Sequence, residues 1–392
     1  MRRGPDGLLR RLEEPQATYL ELFFDVVFVL ALALLSLGLV KDLTWSGALQ
    51  TLVLLLALWS VWFHTSGCTD RLDSKLPQIQ LLVLATMVGT LLMAAAVPEA
   101  FGEQGLLFAG VYLATQIGRH AAAALLLRGH EAATAFVRSL FWWAVSAVPW
   151  IAGALVHGTA REVLWVLAVA VEYVALALGV PTPRLGRAYM RTTEYAISAE
   201  HQAERYRQFF IIALGEPILV TGLILSRSLE FERVVAAVVA FVTTGLLWRI
   251  YIQRAGSLLA ETITAASDSF RALVRSLYAH LVMVAGVVTV AVGAELVVEH
   301  PLGHTRPAWI VVVLGGPALF LAGRVLFEYA VFARVSRFRV MGIFVLVAIS
   351  PAAILLPPIA VGVVPVMVLA GVTLNDSARI RRYAAVTPSP PQ

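Results

Sequence analysis

The chain returns repeatedly to apolar runs that approach or exceed the roughly 20 residues needed to cross a bilayer. Twelve can be marked off by Pro, Gly or charge. They lie near 18–40, 45–66, 77–97, 105–127, 138–157, 161–181, 206–226, 231–252, 272–298, 308–330, 338–356 and 358–375. At 392 residues a soluble chain would divide into two or three domains. Only 14% of the residues are charged, however, and the mean hydropathy is +0.81, whereas soluble domains carry about 25% charged residues. The pattern defines an all-α polytopic membrane protein of about twelve transmembrane helices, with the lipid bilayer as its first partner.

A net charge of +5 and a pI near 9.5 could point to nucleic acid. The basic residues instead sit in short loops between the runs, where they orient a membrane protein, so no nucleic-acid partner is expected. Twenty-two of the 30 Lys and Arg residues fall on one side of the twelve-span scheme, from Arg2 and Arg3 through Arg71 and Arg184 to Arg382. Five fall on the other: Lys41, Arg161, Arg227, Arg233 and Arg306. Under the positive-inside rule this bias places both termini in the cytoplasm. The single cysteine, Cys68, excludes an internal disulfide and a cysteine-rich metal site. The first apolar run is too long for a cleavable signal and follows a basic segment, so it is expected to remain as the first membrane helix.

Spans six apart echo one another. "GRHAAAALLL" (118–127) answers "GRVLFEYAVF" (323–332), and "LWSVWFHTSG" in the second span answers "LLWRIYIQRAG" in the eighth. Two parallel six-helix halves are therefore expected, 1–181 and 206–376, a plan found in transporters. A polar cytoplasmic linker over 182–205 would join them, and 377–392 would form a disordered cytoplasmic tail.

Ionisable residues inside a bilayer cost at least about 2.5–3.5 kcal/mol each and mark cavities or partners. Here they are Glu21, Asp25, Arg119, His120, Glu172, Glu216, His280, Glu295, Arg324 and Glu328. Glu21 and Asp25 are four apart and share one helical face. Their charges repel, so either one carboxyl keeps its proton or both find cations. Arg205 and Glu216 are separated by about three turns, again one face, and His201 lies on the same stripe. Pro217 follows Glu216 and is expected to kink that helix. Two readings of these groups stay open: ion pairs that lock the bundle, or a site. His201 and Glu204 could supply half of a carboxylate-bridged metal site, but no second half is present, so no metal is expected.

Several chemistries fall away. Lys41 and Lys75 are the only lysines and neither lies within a span, which excludes a retinal Schiff base. "HEAAT" (130–134) lacks the second histidine of a zinc motif. No nucleophile elbow or phosphate-binding glycine loop is present. No cofactor and no catalytic residue is assigned.

The stretches "ATYLELFFDVVFVLAL" (17–32), "HQAERYRQFFIIALGE" (201–216) and "YAHLVMVAGVV" (278–288) resemble the bacterial low temperature requirement A protein family over nearly the whole chain. The resemblance implies a multi-pass inner-membrane protein and supplies no mechanism, since the family is named for growth in the cold. It carries over Glu21, Asp25, His201, Glu204, Arg205, Glu216 and His280 without assigned roles.

The preferred reading is a secondary transporter of a small solute or proton. Glu21, Asp25 and Glu216 would exchange protons. Arg119 and Arg324 would serve as counter-ions or anion contacts, Pro217 as a kink, and His201, Glu204 and Arg205 as a cytoplasmic gate. Two alternatives remain open: an intramembrane enzyme using the acids on a lipid or isoprenoid, and a non-catalytic factor in cold adaptation. The sequence leaves the solute and the oligomeric state open.

Overall fold

Apolar runs separated by Pro, Gly and charge become helices separated by short turns. The computed structural model describes residues 5–10, 17–186, 199–252, 269–332 and 335–384. Among them are twelve α-helices. These are α1 (Tyr19–Lys41), α2 (Trp45–Arg71), α3 (Pro77–Ala96), α4 (Gly105–Leu126), α5 (Ala133–Leu155) and α6 (Thr159–Ala177). The chain continues with α7 (Ala199–Leu225), α8 (Phe231–Ile252), α9 (Ser269–Glu299), α10 (Pro307–Phe332), α11 (Arg337–Ile349) and α12 (Pro358–Ala384). The described residues contain no strand, only two isolated bridges, Leu9 with Leu72 and Thr182 with Gly186.

The helix ends have local causes. Thr44 caps α2 by accepting from the Gly47 N–H at 3.1 Å, and Pro77 and Pro307 open α3 and α10, where a missing N–H is harmless. Pro351 lacks the N–H that would extend α11, which stops at Ile349 and gives way to a 3-10 turn over Ala352–Leu355. The stretch 338–356, expected as one span, is thus a 13-residue helix and a turn. Among the described residues nine helices are long and apolar enough to cross a membrane: α1, α2, α3, α5, α7, α8, α9, α10 and α12. The other three differ for visible reasons. Gln116, Arg119 and His120 interrupt α4, Arg161, Glu162 and Glu172 interrupt α6, and α11 is short.

The polar stretch expected as a linker over 182–205 is helical from Ala199, because α7 starts there, and α12 runs on to Ala384 past the expected start of the tail. Residues 187–198 and 385–392 of those two segments lie outside the described residues, as do Arg2, Arg3 and Arg11.

The chain divides into two compact units, Met1–Ala213 with Gly256–Leu281, and Leu214–Ala255 with Val282–Gln392. In the first, α1 packs on α2 and α3, α3 on α4, α4 on α5, and α5 on α6. The N-terminal segment is pinned to the end of α2: Arg10 N–H donates to the Arg71 carbonyl and Asp73 N–H to that of Leu8, each at 2.9 Å. Beneath it Leu8, Leu72, Ile79, Leu127, Phe136 and the buried Cys68 form a hydrophobic cluster.

In the second unit α8 packs on α12, and α10 on α11 and α12. Small residues let α9 and α10 approach closely, as in many membrane helix pairs. A Cβ on Gly316 would lie 2.7 Å from the Val290 nitrogen, and one on Gly293 would lie 3.0 Å from the Val313 Cα.

Candidate functional site

In the first unit four segments bring their charged residues to one place: the N-terminal segment with Arg10, the start of α1, the end of α2 and the first turns of α7. Glu21 stands in the first turn of α1, where its Oε2 accepts from the Thr18 backbone N–H at 2.7 Å and the Thr18 hydroxyl at 3.0 Å. This is the acidic half of a capping box and favours the helix start. Its other oxygen, Oε1, lies 3.0 Å from His201 Nε2 and 3.4 Å from Arg10 Nη1. On its far side the His201 ring places Nδ1 3.0 Å from Asp70 Oδ1. Arg10 Nη1 also lies 2.8 Å from His201 Nε2 and donates to the Thr69 carbonyl at 3.2 Å.

One turn further along α7, Arg205 grips Asp25 with both ends of its guanidinium: Nη2 to Oδ1 at 2.6 Å and Nη1 to Oδ2 at 2.9 Å. Such a two-pronged pair fixes direction as well as distance. Trp62 Nε1 donates to Asp25 Oδ1 at 2.9 Å, and the guanidinium carbon lies 5.9 Å from the Trp62 ring centre. Trp59, Phe209 and Phe28 enclose the pair, with Trp59 stacked on Trp62 at 4.7 Å and Phe209 edge-on to Phe28 at 5.4 Å. Asp25 and His201 are fully buried, and Arg205 and Glu21 are each 1% exposed. The two acids that share a face of α1 therefore each meet their own cation.

Among the described residues three carboxylates (Glu21, Asp25, Asp70) face two guanidiniums (Arg10, Arg205). Within that described set a protonated His201 balances the charge, and a neutral one leaves one negative charge in excess. A neutral imidazole offers one donor and one acceptor, an imidazolium two donors. Contact with Asp70 requires Nδ1 to carry hydrogen in either state. Nε2 then either donates to Glu21 or accepts from Arg10.

The remaining expected site residues are dispersed. His280 stacks on Tyr206 of α7, ring centres 4.1 Å apart and planes 17° from parallel. Its Nδ1 donates to the Ser276 carbonyl at 2.8 Å. Glu204 turns outward to an ion pair with Arg207 at 2.8 Å, both side chains over a third exposed or nearly so. Arg119, 2% exposed, is held by neutral oxygens: Thr65 Oγ1 at 2.9 Å, the Val61 carbonyl and Gln116 Oε1. No carboxylate pairs with it among the described residues.

In the second unit Glu216 is fully buried on α7 ahead of Pro217. Arg324 lies over the Phe327 ring at 5.3 Å, and its Nε and Nη1 find no acceptor among the described residues. Arg339 pairs instead with Glu328 and, at 2.6 Å, with Asp376.

Asp70, Arg10 and Trp62 are not singled out by the sequence alone. Glu172 is noted there without a role. Tyr112 donates to Glu172 Oε2 at 2.6 Å and Trp150 to Oε1 at 2.8 Å, and Gln116 Nε2 donates to Ser60 at 3.0 Å. The usable signal was the run of polar residues on α4 at four-residue spacing, Tyr112, Gln116 and His120, which places all three on one face. No group of three or more His, Cys, Asp or Glu among the described residues is placed to hold a metal ion.

These features define a polytopic helical membrane protein with matched charges buried at helix ends. The chain matches the model for the bacterial low temperature requirement A protein (LtrA) over residues 16–374, and it belongs to that family. An uncharacterized protein of Rhizobium meliloti (strain 1021) is 37% identical to it over 321 residues, which cover 79% of this chain and 76% of that relative. No solved structure matches the chain. The first two stretches that carried the resemblance supply Glu21 and Asp25, and His201 and Arg205, the partners that meet in the cluster.

Proposed function

We propose that this protein is a secondary transporter of the bacterial inner membrane, a twelve-span permease with both termini cytoplasmic, whose buried carboxylates couple solute movement to protons. The observation that carries the reading is the double contact of His201 Nε2, 3.0 Å from Glu21 and 2.8 Å from Arg10. When a proton is bound, Nε2–H donates to Glu21. When it leaves, Nε2 accepts from Arg10, and Arg10 takes over the charge of Glu21. Nδ1–H holds Asp70 throughout, so the ring need not turn. Each state has its own hydrogen bond, as a two-state element requires.

Arg205 is one turn from His201 on α7 and is fixed to Asp25, so a shift of α7 at His201 is carried to α1 through that pair. With Glu204 these residues form the gate. Glu216, about three turns beyond Arg205, is the second proton carrier, and Pro217 gives the helix its bend. Arg119 and Arg324 are the anion contacts. They follow Gly118 and Gly323 in the two halves, 1–181 and 206–376, which move against each other as parallel repeats.

Purified protein in liposomes loaded with a pH-sensitive dye tests the reading against a panel of solutes. Solute-dependent proton movement should occur in the wild type and be lost in His201→Gln and Glu216→Gln. Lipid turnover without proton movement would replace the transporter with an intramembrane enzyme. Proton movement unchanged in both variants would remove these residues from the mechanism.

A further inference from the structure

The first unit holds a cavity of about 70 Å³ that the carboxylate cluster does not use. Among its walls are His64, Cys68 and Arg71 of α2, His120 of α4, Ser139 of α5 and Gln202 of α7. One water needs about 10–15 Å³ of such space, so the cavity has room for a small hydrated ion or a three-atom group.

Its polar groups are largely donors. Gln202 is 1% exposed, its Oε1 accepts from Ser66 at 3.4 Å, and its Nε2 finds no acceptor among the described residues. His64 makes ring contacts with Phe63, His120 and Trp143, and neither of its ring nitrogens has a hydrogen-bond partner among the described residues. Even a neutral imidazole has one N–H to give. His120 is tied by Nδ1 to the Gln116 carbonyl at 2.7 Å, and its ring centre lies 5.1 Å from that of His64.

Among the described residues that line the cavity there is an arginine and no carboxylate. Arg71 is in the wall, and Arg119, adjacent in sequence to His120, is buried with only neutral oxygens around it and with Nε unsatisfied. A buried guanidinium with no counter-charge is expensive, and an anion in the cavity, whose wall includes the neighbouring His120, would offset part of that expense.

We propose that this cavity binds a small monovalent anion, a halide or an oxyanion of formate size, with Gln202 Nε2 and His64 donating and Arg71 and Arg119 supplying the charge. The site shares Arg119 with the transport reading but rests on the cavity, Gln202 and His64, which that reading does not use.

The test uses the full chain purified in detergent and exchanged into sodium gluconate, whose anion is too large to enter. Sodium chloride and sodium formate are titrated in at constant ionic strength while thermal unfolding is followed. The expected result is a saturable rise in Tm with chloride or formate. Its midpoint should be weakened at least about tenfold in Gln202→Leu, as loss of a hydrogen bond to a charged group implies, and the rise should vanish in Arg119→Gln. Should Arg119→Gln fail to fold, Gln202→Leu and His64→Phe decide alone, and a wild-type midpoint in both overturns the site. An equal response to gluconate, or stabilisation only on adding phosphatidylglycerol vesicles, also overturns it. Loss of proton movement in His201→Gln with the anion response intact would leave the site standing, and a wild type that moves protons but shows no saturable anion response would remove it while leaving the transport reading in place.

Discussion

Helix α2 carries two buried arginine environments solved in opposite ways. Toward α1 and α7, Trp62 and Asp70 help build a cluster in which Arg205 meets Asp25 through two hydrogen bonds and Arg10 and His201 meet Glu21. Toward α4, Thr65 and the Val61 carbonyl hold Arg119, which has no carboxylate within the described residues. Both guanidiniums are almost completely buried. A matched pair is mutually dependent, so loss of either partner strands the other. An unmatched cation supported by neutral oxygens depends little on any one of them and leaves its charge available to something else.

The largest effect is expected at Asp25. Asp25→Ala leaves Arg205 buried without its acid and should destabilise the protein by about 3–5 kcal/mol, measured by denaturant unfolding in detergent. Combining it with Arg205→Met should recover much of that loss, because two apolar side chains replace the pair. Additive losses in the double variant would show that the two residues act independently. A smaller effect is expected for Trp62→Phe, which removes one donor to a charged acceptor and should cost about 1.5–3 kcal/mol. Arg119→Gln in gluconate buffer should have the smallest effect, about 1 kcal/mol in either direction, as lost hydrogen bonds offset relief of the unbalanced charge. A loss as large as that of Asp25→Ala would mean that Arg119 has a strong partner and that the contrast is false.

Much of this architecture is visible in the sequence, for local reasons. The apolar runs anticipate the helices closely, with α8 and the run at 231–252 coinciding, because a 20-residue apolar segment has few other uses. The shared face of Glu21 and Asp25 follows from helical geometry alone. Their partners are another matter. Arg205 lies 180 residues from Asp25, and no periodicity links them. The charged stretch at the start of α7 looks like exposed linker because isolated charges belong in water. His201 and Arg205 are buried there because α1 and α2 supply opposite charges, and that matching is a property of packing. Asp70 has the same history: at the end of α2 it looks like a loop charge until His201 is placed beside it. The interruptions at Gln116, Arg119 and His120 weaken α4 as an apolar span for the same reason that they make it useful, since polar residues at helical spacing build a network.

The exchange of partners at His201 is tested most directly by nuclear magnetic resonance of protein labelled with ¹⁵N histidine, in lipid, across the pH range in which it stays folded. The His201 resonances are assigned by their loss in His201→Gln. Nδ1 should stay protonated throughout, held by Asp70, while Nε2 changes between protonated and lone-pair forms as Glu21 and Arg10 exchange places as its partner. A Nε2 that keeps one state at every pH, or a Nδ1 that loses its proton first, would contradict this exchange.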